Sequence, residues 1–153
     1  MTHKLNSKKE GILNNALILS GFVLTGIAWL YVAFTYGNLP DQVVAHMDLQ
    51  GNVNRYDSKA TLWFLLAIFT GLQIILMKLG DSTAQWSKNE SAKTTSLFAL
   101  PYLGLMIIGL CYLMIQKTLD LSFNDTPMMI FFGIITVLLV GAVFVHGLKT
   151  QKK

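Results

Sequence analysis

Apolar residues in this chain fall into four long blocks separated by polar stretches. The blocks run over about 12–36, 60–79, 97–115 and 128–148. Each has roughly the 20 residues an α-helix needs to cross about 30 Å of hydrocarbon. In lipid such segments must be helical, because no water is present to satisfy backbone N–H and C=O groups. The pattern therefore predicts an all-α integral membrane protein. Its four transmembrane helices would form an up-down bundle, a single membrane domain over 1–153 with short connections. The fourth block is entered through Asp125-Thr126-Pro127, an N-cap candidate followed by proline at the helix start. Pro101 stands a turn into the third helix, where it is expected to bend it.

Composition strengthens this reading. Of 153 residues, 53% are hydrophobic and only 13% charged, whereas a soluble domain carries about 25% charged residues. The first block follows Lys4, Lys8 and Lys9 as a signal peptide would, but it exceeds the usual apolar core of about 7–15 residues. It is therefore expected to stay as a helix. Trp29, Tyr31 and Tyr36 gather at its far end, where an interfacial aromatic belt belongs. The single cysteine, Cys111, lies inside an apolar block and reads as a packing residue.

The net charge of +4 points to lipid headgroups rather than nucleic acid, because the lysines sit in tails and loops and no basic, aromatic-interleaved helix is present. Lys4, Lys8, Lys9, Lys78, Lys88, Lys93, Lys149, Lys152 and Lys153 fall on one side of the predicted bundle. Arg55, Lys59 and Lys117 fall on the other, with Asp41, Asp48, Asp57, Asp120 and Asp125. Cytoplasmic loops carry the lysine excess. Both termini should thus be cytoplasmic, in a bacterial cell membrane, with residues 37–59 forming an outer loop.

Within the blocks, ionisable groups are missing from mid-membrane, which argues against an ion-coupled transporter working as a monomer and against an intramembrane enzyme. Gln73 is the one strong polar side chain well inside, and a single interhelical hydrogen bond is expected of it. Asn14 and Asn15 should lie at the cytoplasmic interface, and His146 near the cytoplasmic end of the last helix. Gly21 with Thr25, Gly26, Gly104, Gly109, Gly133 and Gly141 are candidates for close helix approach.

Chemistry therefore concentrates in the outer loop, LPDQVVAHMDLQGNVNRYDSK. Pro40 pushes Leu39 out of the α basin. Val43 and Val44 are expected at the membrane surface or the bundle top. Leu49-Gln50-Gly51-Asn52 reads as a tight turn with Gly51 at positive φ. Asp57 or Ser58 is the expected cap of the second helix. Asp48, Gln50, Asn52 and Asn54 imitate the start of a calcium loop. Its glycine is two places early, however, and Lys59 stands where the closing glutamate belongs. His46 with two carboxylates is too sparse a set for a transition metal, so neither metal nor cofactor is predicted. His46 either hydrogen-bonds within the loop or is exposed for recognition. In the second case its ordinary pKa near 6.5 would make binding pH-sensitive.

The arrangement Leu39-Pro40, His46, Gly51 and Ser58-Lys59, with an aromatic at Tyr56, resembles the membrane domain at the N-terminus of SdpI-type toxin-immunity proteins. That resemblance covers the first helix, the loop and the start of the second helix. It implies a small bacterial multi-pass protein that protects its cell from a secreted antimicrobial peptide. The residues expected to bind such a partner are His46, Asp48, Gly51, Arg55 and Lys59. The alternative expectation is an accessory subunit of a membrane transporter or channel, held by helix–helix contacts.

Overall fold

The computed structural model describes residues 2–48, 51–87 and 90–151, with side chains described over 9–48, 51–83, 85–86 and 93–145. Leu49, Gln50, Lys88 and the side chains of Lys4, Lys8, His146, Lys149, Lys152 and Lys153 lie outside the described set. The chain forms α1 (Thr2–Thr35), a 3-10 turn (Tyr36–Asn38), β1 (Gln42–Met47), β2 (Val53–Ser58), α2 (Thr61–Ser87), α3 (Glu90–Leu97), α4 (Ala99–Leu119) and α5 (Thr126–Gln151). Four stretches are long and apolar enough to cross a bilayer: Lys9–Asn38, Thr61–Thr83, Lys93–Leu119 and Thr126–Val145. These correspond to the four blocks, and the protein is a multi-pass membrane protein by helix length and composition.

Two features depart from an all-helical bundle. The first is an antiparallel hairpin inside the expected outer loop, pairing Gln42 with Ser58, Val43 with Asp57 and Val44 with Tyr56. The pairing slips at His46, which faces Arg55, and returns at Met47, which faces Val53. Ala45 is the extra residue on β1 and Asn54 the extra residue on β2, two bulges that cancel. They spoil strict alternation along each strand, and alternation is the main sequence signal for a strand. The second feature is a break at Phe98, between α3 and α4. Pro101 has no N–H to offer the Leu97 carbonyl four residues back, so the helix interrupts there.

The bundle is held at its centre by polar contacts more extensive than a single bond from Gln73. Thr25 Oγ1 donates to Gln73 Oε1 at 2.9 Å. Gln73 Nε2 donates to the Leu100 carbonyl at 3.0 Å and the Gly21 carbonyl at 3.3 Å. One fully buried amide thus ties α1, α2 and α4 together. Around it α1 and α4 cross closely: a Cβ on Gly104 would lie 2.7 Å from Leu24 Cβ, and one on Gly21 would lie 2.8 Å from Leu100 Cβ. Gly26, Gly133 and Gly141 have open space where a Cβ would stand, so they do not serve helix approach within this chain. Asn14 is buried between helices, accepting from Thr94 Oγ1 at 2.7 Å, while Asn15 is exposed.

At the hairpin end the aromatics collect. Trp63 packs against Trp29 at 5.6 Å and Tyr36 at 5.3 Å between ring centres, and Tyr31 against Tyr112 at 6.1 Å. The hairpin docks on this end. Val43 and Val44 are both fully buried, and the Val44 N–H donates to Thr118 Oγ1 on α4 at 2.9 Å. Val43 joins Leu39, Val32, Leu62, Leu66, Cys111 and Ile115 in one apolar cluster. Burying a valine contributes about 1.5 kcal/mol where the alternative is water, so the hairpin is part of the fold and not an appendage.

Candidate functional site

The hairpin roofs a cavity of about 450 Å³. Val44, Ala45, His46, Met47 and Asp48 form the roof. Leu65 of α2 and Leu110, Leu113 and Met114 of α4 form one wall, and Asp125, Met129 and Phe132 of α5 the other. The lining is apolar except for His46, Asp48 and Asp125, and it includes no lysine or arginine. Cavities of this size, mostly apolar with a few convergent polar groups, are the usual form of a ligand site.

Each expected recognition residue has a definite place. His46 is exposed at the lip, and its Nδ1 is hydrogen-bonded to Asn54 Oδ1 at 2.5 Å. Asp48 lines the cavity but also builds the turn. Its carboxylate accepts from Asn52 N at 2.8 Å and Asn52 Nδ2 at 2.9 Å, and its backbone N–H donates to the Asn52 carbonyl. Gly51 closes that turn with φ of 81°, donating to the Asp48 carbonyl at 3.0 Å. That φ favours glycine. The site enforces it a second time, since a Cβ on Gly51 would lie 2.9 Å from Asp125 Oδ1.

Arg55 and Lys59 lie away from the cavity. Arg55 pairs with Asp57 at 3.0 Å on the outer surface of β2. Lys59 closes the base of the hairpin: its backbone N–H donates to the Asp41 carbonyl at 2.9 Å. Its Nζ donates to the Leu39 carbonyl at 3.2 Å, lies 3.4 Å from Asp41 Oδ1 and sits over the Tyr36 ring. Ser58 rather than Asp57 assists the start of α2, its hydroxyl accepting from the Ala60 N–H. Among the described residues no three His, Cys, Asp or Glu side chains stand close enough to hold a metal ion.

Asp125 is the residue that reading the chain in order misses. Its backbone carbonyl accepts from Met128 and Met129 in the first turn of α5, as an N-cap should. Its side chain does not cap; Asn124 Oδ1 accepts from Thr126 N instead. The carboxylate is buried against Gly51, and Oδ2 has no hydrogen-bond partner. The only advance signal was the neighbouring Asn124, a rival acceptor that frees the aspartate. The connection between α4 and α5 is otherwise self-contained. Asp120 Oδ1 accepts from Ser122 N and Oγ, which holds its carboxyl below the ordinary value of 3.8. Lys117 Nζ donates to the Phe123 carbonyl at 3.0 Å.

Residues 23–70 are similar to a family described as Domain of unknown function (DUF1648). The match takes in the latter part of α1, the whole hairpin and the first part of α2. It includes the roof of the cavity and Leu65, but none of the wall supplied by α4 and α5. No curated protein and no solved structure matches the chain.

Proposed function

We propose that the hairpin end faces the outside of a bacterial cell and recognises a secreted antimicrobial peptide, giving its host protection as the SdpI-type resemblance implies. One observation carries this reading: an apolar cavity of about 450 Å³ under a hairpin whose roof includes His46 and Asp48. A hairpin needed only to connect two helices has no reason to enclose a cavity of that size against α2, α4 and α5. The lysine distribution supports the orientation, since Lys78 on α2 and Lys93 on α3 lie at the end away from the hairpin. Arg55 and Lys59 are engaged with Asp57 and Asp41, so they shape the hairpin and the cavity does the binding.

The test uses cells expressing the full chain, challenged with a panel of secreted antimicrobial peptides. Protection should appear for at least one peptide. It should be lost with Ala45→Trp, which fills the cavity from its roof, and weakened with His46→Ala at the lip, with membrane expression of both variants confirmed. Unchanged protection in Ala45→Trp, or none in the wild type across the panel, sinks this reading. Co-purification with one larger transporter in place of protection would favour the accessory-subunit role. The face of α5 supports that role, since no residue of its span is fully buried within the chain.

A further inference from the structure

Among the described residues the least satisfied buried polar group is the Asp125 carboxylate. Asp125 is only 6% exposed, and its Oδ2 has no hydrogen-bond partner. Burying a carboxylate without partners is costly, and native structures rarely leave one so. The start of α5 favours negative charge at this point, but the local donor, Thr126 N, goes to Asn124. None of the ion pairs formed by described Lys and Arg side chains involves Asp125. The carboxylate borders the same cavity as Met47, Met114 and Met129, whose flexible thioethers adapt to varied apolar shapes. The remaining polar lining, His46 and Asp48, adds no fixed positive charge.

From this we infer that the cavity takes a primary alkylammonium group, as the lysine side chain of a cationic peptide presents it. The ammonium would pair with the Asp125 carboxylate once the side chain turns its buried Oδ2 toward the cavity, and the methylenes would lie among the three methionines. The inference rests on the reading of the hairpin end as a ligand-binding face, and names the chemistry of what enters there. The charge decides the class: a carboxylate ligand would meet two aspartates, and a neutral chain would leave Oδ2 unpaired.

The experiment uses the full chain in zwitterionic lipid nanodiscs with ¹³C-methyl methionine. Met47, Met114 and Met129 report the cavity. Met77 reports general partitioning into the bilayer, since it lies about 18 Å along α2 from Leu65. Hexylammonium, hexanol and hexanoate are titrated in parallel. So is a Leu-Lys-Leu amide, beside its copy acetylated on the lysine side chain. Hexylammonium and the unmodified peptide should shift the three cavity methyls saturably and leave Met77 still. Hexanol, hexanoate and the acetylated peptide should bind about tenfold more weakly or worse, and Asp125→Asn should remove the preference. Equal response to hexanol and hexylammonium overturns the inference, as does a response that acetylation does not change; water alone would then satisfy Asp125. If Asp125→Asn does not fold, the ranking of the probes on the wild type still decides. Amine binding without protection in cells removes the immunity reading alone. Protection without amine binding removes the amine site alone.

Discussion

The three helices α1, α2 and α4 and the fourth, α5, are held in different ways. At the first contact the chain brings backbone against backbone: Gly21 beneath Leu100, Gly104 beneath Leu24, and the Gln73 amide bonded into both neighbours. Trp29 Nε1 adds a bond to Thr70 Oγ1 at 3.1 Å. α5 meets α4 through side-chain tips. The Phe132 ring fills the space over Gly109, and the Tyr102 and Thr136 hydroxyls lie 2.9 Å apart. A cavity of about 450 Å³ and two shallow grooves lie along this second seam. Of the third span's residues 44% are buried within the chain, and of the fourth's none. Lipid is as apolar as leucine, so helices in a membrane associate through close packing and polar bonds rather than through hydrophobic burial. By that measure α1, α2 and α4 form the frame, and α5 is a wall set beside it with the cavity in the gap.

The sharpest way to break this contrast is Gly104→Ala. Its added methyl would meet the Gly21 carbonyl at 2.8 Å, and backbone cannot swing aside. A loss of about 2–3 kcal/mol is expected in reversible unfolding from bilayer discs. Gln73→Leu comes next. It removes two carbonyl contacts and the Thr25 bond, at about 1–2 kcal/mol in the same assay. Gly109→Ala, on the other seam, displaces only the end of the Phe132 ring. Global stability should fall by about 1 kcal/mol or less, while the cavity methyl of Met129, which shares the wall with Phe132, should shift. A loss equal to that of Gly104→Ala would erase the distinction between the seams.

The smallest effect concerns pH. The Asp120 carboxyl is held low by its two bonds from Ser122. The linked stabilisation is complete above the ordinary carboxylate value of 3.8 and fades as pH falls through the lowered folded value. Amide exchange at Ser122 should stay protected at pH 5 and loosen only in stronger acid. Loosening already between pH 7 and 5 would contradict it.

Much of the frame was legible in the chain. Twenty-residue apolar blocks dictate spanning helices, since lipid allows the backbone little else. The positive φ at Gly51 followed from its turn-forming neighbours, and the close approach at Gly21 and Gly104 from the need for small residues where helices touch. The hairpin was not legible, because the bulges at Ala45 and Asn54 shift its strands out of simple alternation. Lys59 looked like a free cation, yet it is spent on the Leu39 carbonyl, Asp41 and Tyr36. Asp125 was visible only as a helix start. Its placement against Gly51 is a contact between residues far apart in sequence, and no local pattern encodes that.

Orientation is the premise on which ligand capture from outside stands, and a single labelling experiment reaches it. The one native cysteine, Cys111, is buried, so a cysteine introduced as Tyr56→Cys on the exposed side of β2 can be read alone. A membrane-impermeant maleimide applied to intact cells should modify it to the same extent as in permeabilised cells. Modification that requires permeabilisation would place the hairpin and its cavity in the cytoplasm, where no secreted peptide could reach them.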